Sequence, residues 1–207
     1  MTSNIVPKIL IIDNHFHTNV RFQELFPNCD ILPIVCDLLP YLDPRVFEAI
    51  DLIVLTGGNK LDPVNKIMDD HQGLQFEIKL IQNTNIPVLG ICYGHQLIAA
   101  SFGCEIVSTI PIERFETIQI TNQSLLNINN PIVWENHKYS VKSLSDQMES
   151  FAVYPPYNTH EIIKHKTKNV WGLQFHPERD PEKQDGRLIV RGILDRMNLK
   201  QIEVIST

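Results

Sequence analysis

The sequence predicts an α/β fold: a single domain with a mostly parallel central sheet flanked by helices and a smaller antiparallel β part in its second half. Continuous apolar runs alternate with helical patterns through the first half, which is typical of parallel strands joined by helices. These runs lack polar alternation, as expected of strands buried on both faces. The second half contains short strand candidates separated by turn residues. The 207 residues are enough for one such domain, which we place at 1–207.

Composition argues against several classes of function. The formal net charge is −6 and there is no basic block, which disfavours nucleic acid or an anionic membrane as the main partner. No apolar run is long enough to span a membrane, and the N-terminus lacks the features of a signal peptide. No C-x-x-C pair supports a metal site, and free thiols suit a reducing cytoplasm. The four cysteines are Cys29, Cys36, Cys92 and Cys104.

Four buried strands are predicted in the first half. Asp43-Pro44 is a helix-start signal, with Asp43 as N-cap and Pro44 in the first helical position. Pro33 interrupts the second strand and places it near a sheet edge. The predicted elements are strand Lys8–Asp13, a short helix before Pro27, strand Asp30–Val35, strand Asp51–Leu55, helix Ile67–Gln82, a strand from Ile86, and a helix that ends at Gly103.

The second half is predicted as short strands followed by one long helix. An apolar stripe at helical spacing supports the helix, which runs from about Gln184 to Met197. The strand candidates are Glu105–Ser108, Glu116–Thr121, Pro131–Glu135, Phe151–Tyr154, Ile162–Ile163 and Val170–Phe175.

A cysteine between two glycines marks the junction of the fourth strand and its helix, in Gly90-Ile91-Cys92-Tyr93-Gly94. Glycines two residues before and after Cys92 leave room for a sharp turn that projects the thiol above the sheet. The N-terminus of the following helix would favour the thiolate. A buried structural cysteine is the alternative, but it does not explain both glycines. We therefore expect Cys92 to be a nucleophile.

A thiolate nucleophile needs a base and a group that orients the base. His176 directly follows a predicted strand, and Glu178 lies two residues later across the rigid Pro177, so the carboxylate could hold the imidazole in one tautomer. Thr56-Gly57-Gly58 ends another strand; taken alone it could be an ordinary turn, but its backbone N–H groups could also face a ligand. Ligands of parallel sheets bind beyond the carboxyl ends of the strands, where these segments should meet.

Three motifs together resemble the class I, triad-type glutamine amidotransferases. They are the segments from Gly90 to Gln96, from Gly172 to Glu178 and from Thr56 to Gly58. The resemblance covers nearly the whole chain, with the motifs in the family's order and spacing, and implies a flavodoxin-like fold. Within this family the chain looks most like the glutaminase domain or subunit of GMP synthase.

The resemblance implies hydrolysis of the side-chain amide of L-glutamine, without a cofactor or metal. Cys92 would attack the amide carbon and form a γ-glutamyl thioester, His176 would transfer the protons, and Glu178 would orient His176. The backbone N–H groups of Gly58 and Tyr93 would form the oxyanion hole. The implied substrate-binding residues are Gly57, Gln96 and a loop of Asn136, His137, Lys138 and Tyr139.

The resemblance also implies a partner, an ATP-dependent synthetase subunit that uses the released ammonia. A stand-alone γ-glutamyl hydrolase or peptidase of the same fold shares every catalytic residue and is the alternative; a catalytically idle regulatory module is a third. Three segments depart from the GMP-synthase pattern and weaken that subfamily assignment. They are Asn59 where proline is usual, Arg179-Asp180 where a small apolar residue is usual, and the first-strand exit from Asp13 to His17.

Overall fold

Ten strands of one sheet organise the chain. The computed structural model describes residues 6–14, 19–58, 72–124, 128, 130–179 and 183–205. Within these residues the strands are β1 Lys8–Asn14, β2 Asp30–Val35, β3 Leu52–Gly58, β4 Val88–Ile91, β5 Glu105–Thr117, β6 Gln119–Ile120, β7 Ile132–Ser143, β8 Met148–Tyr154, β9 Thr159–His165 and β10 Val170–Leu173. Their order is β2-β1-β3-β4-β10-β9-β7-β5, with β8 also pairing with β9 and β6 pairing with β8.

The predicted parallel sheet is confirmed and comprises five strands. β1 pairs in parallel with β2 and β3, and β4 pairs in parallel with β3 and β10. β2 lies at the edge, as Pro33 predicts. Because parallel strands point the same way, the carboxyl ends of β1, β3, β4 and β10 lie along one edge of the sheet, where the predicted motifs end.

Helices cover both faces of this sheet, as expected. The described α-helices are α1 Asn19–Leu25, α2 Gln72–Asn83, α3 Tyr93–Ser101 and α4 Asp185–Arg196. Asp43 caps the next turn by accepting from the backbone N–H of Arg45 at 3.0 Å, but that turn, Pro44–Ala49, is a 3-10 helix. Several predicted segments fall wholly or partly outside the described residues: the first turns of the helix expected from Ile67, Asn59, the first-strand exit from His15 to His17, and Asp180.

Two apolar cores lie on opposite faces of the sheet. Alternation along β1 sends Ile9 and Ile11 to one core and Leu10 and Ile12 to the other. The first core includes apolar side chains of α1 and α4, and the second includes side chains of α2 and α3. Among the described residues, no helix is both long and apolar enough to cross a membrane.

The antiparallel part differs from the prediction in the length of two strands. β5 and β7 have 13 and 12 residues and pair with each other along most of their length. β5 is largely solvent-accessible, so its sequence carries no long apolar run. The expected loop of Asn136 to Tyr139 is wrong, because these residues lie inside β7. The expected strand Glu116–Thr121 is divided between β5 and β6.

Candidate active site

Cys92 occupies a strained turn between β4 and α3. Its backbone has φ 51° and ψ −100°, a conformation that residues other than glycine rarely adopt. Its N–H donates to the carbonyl of Leu173 in β10 at 2.7 Å, and its carbonyl accepts from the N–H of Gln96 at 3.1 Å. The turn is thereby fixed to a neighbouring strand and to the helix that follows. Strain of this kind is concentrated at functional sites.

Both glycines that flank Cys92 are required by close backbone contact. A Cβ on Gly90 would lie 2.5 Å from the carbonyl carbon and oxygen of Gly94. A Cβ on Gly94 would lie 2.4 Å from the carbonyl oxygen of Leu55 in β3. The start of α3 therefore rests directly on the backbone of two strands, with no side chain between them.

Gly94→Ala should lower the free energy of unfolding by about 3 kcal/mol, since the added methyl group meets backbone that cannot rotate away. Urea denaturation measures the change. Gly186→Ala in α4 is the matched control, because a Cβ there would meet no atom closer than 3.4 Å, apart from its own helix and its chain neighbours. Alanine favours a helix over glycine by up to about 1 kcal/mol, so this control should be neutral or slightly stabilising. Equal destabilisation by both changes would contradict the packing argument.

His176 lies beside the cysteine and is held by β7 and by Glu178. Its backbone N–H donates to the carbonyl of Trp134 in β7 at 2.9 Å. The short 3-10 helix Pro177–Arg179 brings Glu178 back toward the ring, so that Nδ1 of His176 and Oε1 of Glu178 are 2.7 Å apart. The side chain of Cys92 lies close enough to the imidazole to raise the pKa of His176. The structure therefore brings the three predicted residues together, with the imidazole of His176 between Cys92 and Glu178.

The imidazole of His176 holds a proton at neutral pH. Burial lowers the pKa of the ring by disfavouring its charged form. The opposing effect of Glu178, and then that of Cys92, is larger, so the net result is a pKa of about 10. His176 and Glu178 are 1% and 2% exposed, so solvent screens this interaction little. A charged imidazole beside a sulfur is the arrangement that favours a thiolate nucleophile.

Gly58 and Tyr93, the predicted oxyanion residues, are neighbours. A Cβ on Gly58 would lie 2.8 Å from the carbonyl oxygen of Asn14 and 3.3 Å from Cγ of Tyr93. Tyr93 is the first residue of α3, so the helix does not use its N–H. The end of β3 is further fixed by Thr56, whose hydroxyl accepts from the N–H of Asn14 at 2.9 Å and donates to the carbonyl of Gly57 at 2.8 Å.

The predicted substrate-binding residues of α3 and β7 face each other. The side-chain amide nitrogen of Gln96 donates to the carbonyl of Tyr139 at 2.8 Å and to Oε1 of Gln174 at 3.2 Å. We call the turn Gly90–Gly94 around Cys92 the elbow. The carbonyl oxygen of Asn136 lies 3.6 Å from the sulfur of Cys92 in this elbow. The side chain of Lys138 is exposed, with Nζ 5.3 Å from the centre of the Tyr139 ring. Backbone carbonyls of β7 thus contact the elbow and its helix.

The sequence reasoning missed a buried polar cluster behind β7. Nε2 of His137 is 3.2 Å from Oε2 of Glu135, and Nδ1 is 3.4 Å from the hydroxyl of Ser140. Glu161 of β9 completes the cluster, which has one side-chain nitrogen or oxygen from each member within 4.8 Å of the others. A signal was available, because strand alternation places Glu135 and His137 on the same buried face as Val133.

The other three cysteines are held as thiols. Burial raises the pKa of Cys29 to about 11 and that of Cys36 to about 12, with smaller contributions from nearby carboxylates. Burial also raises the pKa of Cys104. Because the thiolate is the nucleophilic form, these residues are inert at neutral pH.

The comparison with protein families decides the classification. Residues 10–195 match the class-I glutamine amidotransferase family. The chain belongs to the class-I glutamine amidotransferases. This membership confirms the predicted family, the fold class and the enzyme class.

Relatives of this amidotransferase carry GMP synthase names. The glutamine-hydrolyzing GMP synthase subunit of Methanothermobacter thermautotrophicus is 33% identical over 178 residues, covering 82% of this chain and 88% of that protein. The glutamine-hydrolyzing GMP synthase of Brachyspira hyodysenteriae is 31% identical over 186 residues, covering 84% of this chain and 33% of that protein. A Thermoplasma acidophilum crystal structure, assigned to a GMP synthase subunit, matches with a TM-score of 0.78 at 26% identity, covering 94% of this chain and 95% of that one.

Proposed function

We propose that this amidotransferase hydrolyses the side-chain amide of L-glutamine and supplies the ammonia to a GMP-synthase-type synthetase subunit. The observation that carries the proposal is the buried series Cys92–His176–Glu178, in which Cys92 influences the pKa of the imidazole and Nδ1 of the imidazole lies 2.7 Å from the carboxylate. This arrangement has the three parts that thiol catalysis of acyl transfer needs: a nucleophile, a base and an orienting group.

In the first half of the reaction, the sulfur of Cys92 bonds to the amide carbon of glutamine. The electron pair of the carbonyl π bond moves to the oxygen, where N–H groups of Gly58 and Tyr93 stabilise the oxyanion. Removing one such donor typically raises the activation free energy by about 3 kcal/mol. When the intermediate collapses, the C–N bond breaks, the imidazolium of His176 protonates the departing nitrogen, and ammonia leaves a γ-glutamyl thioester.

In the second half, water replaces ammonia. The neutral imidazole of His176 takes a proton from water as the oxygen attacks the thioester carbon. The C–S bond then breaks, glutamate leaves, and the sulfur returns to its starting state. Glu178 keeps the same tautomer of His176 through both halves, because its carboxylate accepts from Nδ1 and leaves Nε2 to exchange protons.

Glutamine itself would be held by Gln96, Gly57 and the edge of β7 that contacts the elbow. The carbonyl oxygens of Asn136 and Tyr139 accept hydrogen bonds and cannot donate them, so they suit an α-ammonium group. Gln96 already donates to Tyr139 and Gln174, which fixes its side chain and leaves its carbonyl oxygen for the substrate. Lys138, exposed beside Tyr139, would meet the α-carboxylate.

A partner is proposed because free ammonia in water is protonated and no longer nucleophilic. The relatives named as GMP synthase subunits support a partner that carries the synthetase activity. The ATP-dependent step would then belong to that partner, so the chain itself would need no cofactor. We place both proteins in the cytoplasm, where the Cys92 thiol stays reduced.

The test is ammonia release from L-glutamine by the purified chain, alone and with the synthetase subunit co-purified from native extract. We expect slow hydrolysis by the chain alone and a strong increase when its partner is added. Rapid hydrolysis of γ-glutamyl peptides, without turnover of glutamine, would instead identify a stand-alone γ-glutamyl hydrolase. Cys104→Ala, outside the site, serves as the variant control and should respond to the partner like the unmodified chain.

A further inference from the structure

β7 is paired on one side only along the stretch that contacts the active site. β5 pairs with β7 from Ile132 to Ser143, but in the described strands β7 and β9 are in register only at Val141 and His160. Between these strands, the side chains of Glu135 and His137 reach Glu161 where ladder hydrogen bonds are missing. On the side that faces β9, side-chain contacts therefore add to the few backbone bonds that hold this part of β7 in place.

The same stretch of β7 presents carbonyl oxygens to the site at three places. The carbonyl of Trp134 accepts from the N–H of His176, and that of Tyr139 accepts from the side chain of Gln96. The carbonyl of Asn136 lies 3.6 Å from the sulfur of Cys92. We call Trp134, Asn136 and Tyr139 the carbonyl row. A shift of β7 would move the row relative to the base, the nucleophile and the substrate together.

The two carboxyl groups of the cluster cannot both be ionised. Glu135 and Glu161 are each 1% exposed, and a carboxyl oxygen of one lies within 4.8 Å of a carboxyl oxygen of the other. Two carboxylates at this distance in a buried site would repel, so the pair shares one proton, as acidic dyads do. The hydroxyl of Thr159 donates to Oε1 of Glu161 at 3.2 Å and stabilises the remaining negative charge.

We propose that Glu135, His137 and Glu161 are positioning residues that hold one shared proton and thereby keep the carbonyl row against the elbow for glutamine binding. The inference rests on the proposed glutaminase function and adds a requirement to it. When the shared proton is lost, the two carboxylates repel, β7 moves away from β9, and the row loses its alignment with the substrate ammonium group.

The surroundings of the cluster give the direction of this effect. Burial raises the pKa of Glu135 to about 7 and raises that of Glu161 well above its ordinary value. The other charged groups facing the pair are His176, which favours the charged form of Glu135, and Glu116, which opposes it. Burial lowers the pKa of His137, so its ring stays neutral. The proton is thus retained at neutral pH and lost as the pH rises.

The experiment measures glutamine affinity by calorimetry from pH 6.5 to pH 9 in Cys92→Ala protein, which cannot turn the substrate over. Affinity should fall with rising pH in this background. Adding Glu135→Gln should flatten the fall, because an amide N–H donates to Glu161 permanently. Adding Glu135→Leu should weaken binding about tenfold at every pH, since leucine can neither share a proton with Glu161 nor donate to it. Glu149→Gln, on the neighbouring strand β8, is the matched control and should follow the Cys92→Ala profile.

Each alternative result has a distinct meaning. If Glu135→Gln keeps the parental pH dependence and changes only the melting temperature, the cluster is merely structural and the inference is wrong. Glu161→Gln gives the same test should Glu135→Gln fail to fold. Affinity that changes with zinc and is reset by a chelator would make the cluster a metal site and also overturn the inference. Failure of the catalytically intact chain to hydrolyse glutamine would refute the proposed function, and the inference with it.

Discussion

Replacing Cys92 with alanine should abolish glutamine hydrolysis, with kcat falling at least about 10⁴-fold. The variant keeps the elbow but removes the atom that bonds to the amide carbon. The unmodified chain, quenched in acid during turnover, should carry one γ-glutamyl group on the peptide that contains Cys92, detected by mass spectrometry. The alanine variant should carry none.

Cys104→Ala is the matched control for this change, because Cys104 is a half-buried thiol whose pKa burial raises. It should keep kcat within about twofold, because Cys104 lies outside the site and its side chain is only partly buried. Appreciable turnover by Cys92→Ala, or a γ-glutamyl adduct on another cysteine, would remove Cys92 from the mechanism.

Glu178→Gln should lower kcat by about 10²- to 10⁴-fold and leave KM for glutamine little changed. The amide preserves the shape of the side chain but not its charge, and it can hold the wrong imidazole tautomer. Because Glu178 is the largest influence that raises the pKa of His176, this pKa should fall in the variant. Rate profiles from pH 6 to pH 10 should therefore show the alkaline limb moving to lower pH.

The same substitution makes a prediction about stability. The pKa of His176 is raised from 6.5 to about 10 in the folded chain, so the charged ring stabilises the fold fully below pH 6.5 and loses this contribution as the pH rises toward 10. The difference in free energy of unfolding between the unmodified chain and Glu178→Gln should thus be largest near pH 6 and shrink toward pH 10. Glu149→Gln should show no such trend; a pH-independent difference for Glu178→Gln would contradict the ion pair.

Local sequence signals predicted the parallel half of the fold well. Uninterrupted apolar runs such as Ile9–Ile12 can be satisfied only by burial on both faces, and Asp43 and Gly103 mark element ends through their own backbone chemistry. The site residues were predictable for a similar reason. The glycines around Cys92 permit the sharp turn and the proline before Glu178 fixes its own φ, so these signals can be recognised in the local sequence, although strands distant in sequence complete the packing.

The antiparallel half was less predictable because its strands are specified by partners distant in sequence. β5 is mostly exposed and lacks the apolar pattern that marks a strand. The family resemblance implied a loop from Asn136 to Tyr139, yet pairing with β5 makes these residues extended. The contact of Glu135 with Glu161 joins residues of different strands, and no local rule in the sequence connects them.

The site has two sides, the turn that carries Cys92 and the strand β7, and the close packing of Gly90 and Gly94 determines which of them could move when a partner binds. Gly90 and Gly94 pack directly against backbone atoms, so the side of the site that carries Cys92 has little room to rearrange. The opposite side is β7, which pairs with β5 along most of its length but, in the described strands, is in register with β9 only at Val141 and His160. A synthetase subunit that accelerates glutamine hydrolysis would therefore transmit its signal by pressing β7 into place, while the cysteine stays where the strands hold it.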